Sequence, residues 1–234
     1  MNIAILGEGL FAAGVINLCE SHTLFTATTP DDITDEWAQA DLVIEMCHTS
    51  PADKRRALED ISLKVMPDTL ILTSALTRSA TESAAWATQP ERVVGFGLLP
   101  PITVDGMVEL CAALQTTPDS MARAQSFWQS VGQTPHTVTD GVGLVRARIV
   151  CCVINEAFTA MHEGVATADD IDRAMRLGTN YPHGPFEWTE LIGIETVLAV
   201  MEGLFAEWGE DRYRPAPLLR RMVAAGVTVS RAAP

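Results

Sequence analysis

Positive charge is scarce in this chain of 234 residues: 16 lysines and arginines stand against 30 aspartates and glutamates, a formal net charge of −14. Nucleic acids and anionic membrane surfaces need a basic footprint, so neither is an expected partner. No apolar run reaches the ~18 residues that a membrane-spanning helix requires. The opening Met1-Asn2-Ile3-Ala4-Ile5-Leu6 carries no basic segment, and a signal peptide is not expected. Cysteine is sparse too. Cys19, Cys47, Cys111, Cys151 and Cys152 form no CxxC, and their odd number fits a reduced, cytoplasmic setting in which they act as small buried hydrophobes. The histidines at 22, 48, 136, 162 and 183 are scattered without ligand spacing, so no metal site is expected.

What is present is an apolar fraction of 47%, enough to bury a sizeable core. Up to about residue 140, short apolar runs alternate with helical patterns, which predicts βαβ units and a parallel sheet. Strands are expected at Asn2 to Leu6, Thr23 to Thr28, Asp41 to Met46, Thr69 to Thr73, Arg92 to Phe96 and Met107 to Cys111. Ser50-Pro51-Ala52-Asp53 starts a helix by capping, by proline at the first turn and by an acid at the positive end. Beyond that point the pattern is helical only. Val142 to His162 reads as a long buried helix, Thr167 caps the next, and Ile194 to Trp208 recurs apolar at three- and four-residue steps. The expected fold class is therefore an α/β Rossmann-type parallel-sheet domain, residues 1–140, followed by an all-α domain, residues 141–234.

Gly7-Glu8-Gly9-Leu10-Phe11-Ala12 follows a strand and opens a helix, the context in which a GxGxxG-like loop binds a dinucleotide. The first glycine permits the turn, the second lets pyrophosphate approach the backbone, and Ala12 replaces the third. An acid that would hold the ribose hydroxyls belongs about 20 residues after the loop. Thr28 and Thr29 stand there instead, with Asp31 and Asp32 slightly late.

Several longer stretches share one further likeness. Asn155-Glu156-Ala157, Glu163-Gly164, Asp169-Asp170-Ile171-Asp172, Tyr181-Pro182-His183-Gly184-Pro185-Phe186-Glu187 and the run from Asp211 to Arg221 resemble the 3-hydroxyacyl-CoA dehydrogenase family, of the bacterial 3-hydroxybutyryl-CoA dehydrogenase type. So does Arg92-Val93-Val94-Gly95-Phe96-Gly97-Leu98-Leu99-Pro100-Pro101 followed by Glu109. The resemblance implies NAD as cofactor, an acyl-CoA or small hydroxy-acid substrate held between the two domains, a helical homodimer interface and a place in fatty-acid metabolism. It implies cofactor contacts at Gly7, Gly9, Leu10, Phe11, Ala12 and Glu45, a CoA contact at Lys54, and catalytic-site positions at Thr77 and Glu109.

The chain departs from that pattern in several places. Gly97 stands where the family has the histidine that takes the substrate's hydroxyl proton and that Glu109 would orient. Pro100 and Ala147 replace asparagines, and Thr49 replaces an acid. The segment between the second and third strands is shorter by a strand and a helical hairpin. A substitute base is sought at His48, beyond the third strand, or at His183. Arg146 or Arg148 is a candidate partner for Glu109. Arg212, Arg214, Arg220 and Arg221 are expected to tie down the C-terminal segment or make a dimer contact. Two readings stay open: an NAD-dependent 3-hydroxyacyl-CoA dehydrogenase-like oxidoreductase, or a non-catalytic member that keeps the scaffold as a nucleotide- or acyl-CoA-binding dimeric partner.

Overall fold

A computed structural model describes residues 1–228, and the chain divides into two compact units, Met1–Val145 and Arg146–Pro234. The first unit is an α/β domain. Its strands are β1 (Asn2–Leu6), β2 (Thr23–Ala27), β3 (Leu42–Glu45), β4 (Leu70–Ser74), β5 (Val93–Gly97), β6 (Met107–Ala112) and β7 (Thr134–Thr137). They form one sheet in the order β2-β1-β3-β4-β5-β6-β7. Neighbours are parallel throughout except β5 and β6, which run antiparallel. Helices α1 (Gly9–Leu18), α2 (Pro51–Lys64), α3 (Ala80–Ala84) and α4 (Pro118–Ser130) accompany the sheet. Every residue of β3, β4 and β5 is buried, as continuous apolar runs in a two-sided parallel sheet require.

Local chemistry sets the helix starts. Ser50 Oγ accepts from the Asp53 amide at 3.1 Å, with Pro51 at the first position of α2. Thr117 does the same for α4 through Ser120. The stretch between β2 and β3 holds two brief 3₁₀ turns, and its Trp37 is fully buried with Leu58, Ile61 and Val65 of the α2 region. That indole supplies the bulk with which so short a connection covers the sheet.

The second unit is helical: α5 (Arg146–His162), α6 (Ala168–Thr179), α7 (Pro185–Ile192), α8 (Ile194–Trp208) and α9 (Pro217–Ala225). Two expectations need correcting. The helix expected from Val142 begins only at Arg146, because Gly143 and Leu144 adopt positive φ, which no right-handed helix contains. It is also one-faced rather than buried all round: Ala147, Cys151, Ile154 and Phe158 turn inward while Ile149 is half exposed. Thr167 caps α6 as expected, its hydroxyl accepting from the Asp170 amide. Among the described residues no helix is long and apolar enough to cross a membrane.

Candidate functional site

The carboxyl edge of the sheet in the first unit gathers most of the expected residues. At β1, the chain leaves Leu6 through Gly7, whose amide donates to the Ala27 carbonyl at 3.0 Å. A Cβ on Gly7 would press to 3.1 Å against Met46. Gly9 has φ +64°, and a Cβ there would meet nothing within 4 Å, so the backbone is open on that side. Glu8 precedes α1 without a side-chain cap, and no acid sits in the first turn. Free amides, an open approach and the positive end of a ten-residue helix fit the diphosphate of a dinucleotide. Leu10 is exposed, whereas the side chains of Phe11 and Ala12 are buried, leaving only their backbone to face a ligand.

The ribose end fits less closely. Asp32 accepts from the amide and hydroxyl of Thr29, at 2.9 and 2.8 Å, and those hydrogen bonds lower its pKa. Asp31 is paired with Arg56 at 3.0 Å. Both acids near this edge are thus already engaged, and Thr28 is exposed.

Glu45, expected to contact the cofactor, and Lys54, expected to contact the substrate, are paired with each other. Lys54 Nζ donates to Glu45 Oε2 at 2.5 Å and to Thr73 Oγ1 at 3.0 Å, and neither charged side chain has exposed surface. Glu45 Oε2 also accepts from Thr73 Oγ1 at 2.6 Å, and Oε1 accepts from the Cys47 amide at 2.6 Å. The physical reason is desolvation: buried charges persist only when paired and saturated with hydrogen bonds. This network ties β3, β4 and α2 together beneath the site. Thr73 and its pairing escape a sequence reading, since nothing in a buried strand threonine marks it.

His48 lies just beyond β3. Its Nε2 is 2.9 Å from Ser74 Oγ, and its ring meets Phe11 edge-on with centroids 4.6 Å apart. Burial, reinforced by the Lys54 ammonium, pushes its pKa down to about 3, so the ring is neutral at physiological pH. Burial, with Glu45 adding to it, raises the neighbouring Cys47 thiol, which is therefore no ready nucleophile. Thr77 is buried three residues beyond β4.

Gly97 ends β5 and pairs directly with Glu109 of β6. A Cβ on Gly97 would stand 3.3 Å from Glu109 Oε2 and 3.0 Å from the Cδ1 methyl of Leu144. Leu144 is 6% exposed and holds φ +47°, a left-handed conformation costly for a leucine. The side chain over Gly97 is therefore apolar. Glu109 is 3% exposed and is not without a partner. Arg148 is committed elsewhere, donating to the Tyr213 hydroxyl and lying over the Trp208 ring at 4.9 Å. His183 belongs to the second unit, edge-on to Trp188 at 4.8 Å. Among the described residues no group of three or more His, Cys, Asp or Glu residues is arranged to hold a metal ion.

Residues 8–141 match the family described as "3-hydroxyacyl-CoA dehydrogenase, NAD binding domain", and residues 143–232 match "3-hydroxyacyl-CoA dehydrogenase, C-terminal domain". The chain is 34% identical over 192 residues to the "Probable 3-hydroxybutyryl-CoA dehydrogenase" of Bacillus subtilis (82% of this chain, 67% of that protein). It is 32% identical over 205 residues to the 3-hydroxybutyryl-CoA dehydrogenase of Clostridioides difficile (88% of this chain, 71% of that protein). In three dimensions it is similar to the crystal structure of (S)-3-hydroxybutyryl-CoA dehydrogenase PaaH1 from Ralstonia eutropha. The TM-score is 0.79 at 29% identity, covering 96% of this chain and 94% of that one.

Proposed function

Since the chain belongs to the 3-hydroxyacyl-CoA dehydrogenase family and carries its NAD-binding domain, we propose that it is an NAD-dependent oxidoreductase acting on a 3-hydroxyacyl-CoA or a related hydroxy acid. The observation that carries this reading is the open loop at Gly9: a positive-φ glycine with free space above it, at the uncapped start of α1. NAD is the cofactor, and when bound it supplies the acceptor for a hydride. The amides from Gly7 to Ala12 would hold its diphosphate. Glu45, Lys54 and Thr73 fix the ends of β3 and β4 to each other and to α2.

Oxidation of a secondary alcohol also releases a hydroxyl proton, and a positioned base typically contributes about 10²–10⁴-fold to such a step. His48 is a weak acceptor here, its pKa being near 3. Glu109 is the carboxylate nearest the position vacated at Gly97, and this proposal assigns it the proton, with the Thr77 hydroxyl near the substrate oxygen. The protein works as a cytoplasmic homodimer in fatty-acid metabolism on this reading, with the helical unit making the dimer contact.

One observation favours a second reading. The Leu144 methyl covering Gly97 suits a protein that keeps the nucleotide or acyl-CoA pocket without turnover. Purified protein mixed with NADH and acetoacetyl-CoA, followed at the nicotinamide absorbance band, separates the two. Slow turnover that disappears in Glu109→Gln supports the oxidoreductase. NADH binding by calorimetry without turnover supports the second reading, and absence of both sinks the first.

A further inference from the structure

The second unit contains a cavity of about 590 Å³, and every residue that lines it lies in that unit. Its volume falls in the range of small-ligand sites. In a chain whose net charge is −14, Arg212, Arg214, Arg220 and Arg221 all line this one hollow. The carboxylates of Glu156 and Asp211 line it too and Glu210 pairs with Arg212, so the four arginines keep a local excess of one positive charge.

The arginines are not equally free. Arg212 Nε is 2.8 Å from Glu210 and its guanidinium covers the Tyr213 ring, while Arg214 lies 3.9 Å from Asp211. Arg220 and Arg221 form no ion pair among the described residues. Both belong to the first turns of α9, which starts at Pro217 with no side-chain cap and no acid in its first turn, so the positive helix end opens on the same cavity.

The segment that presents these groups is held rigid. Asn155, 8% exposed, accepts from the Ala216 amide at 2.7 Å and donates to the Arg214 carbonyl at 3.1 Å, clamping the chain on both sides of Pro215. Arg148 fixes the adjoining Tyr213 through its hydroxyl. Guanidinium groups with free donors, carried on a backbone clamped in this way, suit tetrahedral oxyanions, to which they bind in a fork.

We propose that this cavity is a binding site for a small diphosphate-bearing anion, with Arg220 and Arg221 as its principal contacts. The site is independent of the nucleotide loop at Gly9.

Calorimetric titration of the full chain with inorganic pyrophosphate, at low salt and with NADH in excess, tests it. Saturable binding of one pyrophosphate per chain is expected, weakening as salt rises. Arg220→Ala combined with Arg221→Ala, both exposed positions, should weaken it by about tenfold or more while leaving the thermal midpoint and the NADH response unchanged. Glu156→Gln removes a competing carboxylate and should tighten it. Absence of saturable binding overturns the proposal, as does equal affinity in the double variant. A shift of oligomeric state in the double variant, with no pyrophosphate binding in the parent, assigns the arginines to a contact with a second copy and overturns it as well.

Discussion

The Cδ1 methyl of Leu144 lies 3.0 Å from the point where a Cβ on Gly97 would stand. Nothing larger than glycine fits there unless that methyl retreats, and Leu144 is held in a left-handed conformation to reach it. The space beside Gly97 is therefore not empty. A leucine from the segment leading into α5 packs over this point.

Gly97→His alone should destabilise the protein by about 1–3 kcal/mol through overpacking. Leu144→Ala alone should cost about 2–5 kcal/mol through the cavity it leaves. Together they should be less harmful than the two costs added, with a coupling of about 0.5–3 kcal/mol. Urea denaturation of the four proteins of this cycle gives the answer, and strict additivity would show that Leu144 does not guard the position.

The Glu45–Lys54 pair is the second target. Lys54→Met leaves a fully buried carboxylate with its cation gone, which should cost about 3–5 kcal/mol. Adding Glu45→Gln removes the uncompensated charge yet keeps an acceptor for the Cys47 amide. The double variant should then be more stable than Lys54→Met by urea denaturation. If it is weaker still, the pair is not the unit described above.

These contacts mark the boundary of what a sequence reading reaches. The parallel strands, the loop at Gly7 and Gly9, and the helical second half follow from periodicity and capping, which act over a few residues. Strand ends moved by one residue, as at Leu70–Ser74, because ladder pairing and not composition ends a strand. Glu45 and Lys54 lie nine positions apart, on a strand and on a helix, and only the βα crossover turns them toward each other. Leu144 reaches Gly97 across 47 residues of chain through a positive-φ turn that no local pattern announces. Short-range physics was legible; contacts made by tertiary folding were not.

His48 makes stability pH-dependent in a defined direction. Its folded pKa, pushed down to about 3, lies below the ~6.5 of an unfolded histidine. Above pH ~6.5 both states are neutral there and stability is at its full value. As pH falls through the window from ~6.5 to ~3, the unfolded chain takes up a proton that the folded protein refuses, and stability is lost. The loss should reach about 2 kcal/mol by pH 5. His48→Gln, which keeps a hydrogen-bonding group near Ser74 Oγ, should lack this component when urea midpoints are compared at pH 7 and pH 5. Equal acid sensitivity in both proteins would mean that His48 charges freely in the fold.

The nucleotide loop offers the most direct check on cofactor binding. At Gly9 the φ of +64° disfavours any L side chain, while nothing within 4 Å would obstruct a Cβ. Gly9→Ala should thus cost only about 1–2 kcal/mol of stability, from backbone strain and not from a clash. The same methyl would project into the open side of the loop, where a diphosphate must approach the amides of α1 closely. NADH affinity should fall by about tenfold or more, a larger effect than the small loss of stability can produce in a protein that remains folded. Calorimetry with NADH, paired with a thermal melt of each protein, separates the two effects. An affinity unchanged by Gly9→Ala would move the diphosphate away from this loop and remove the observation on which the oxidoreductase reading rests.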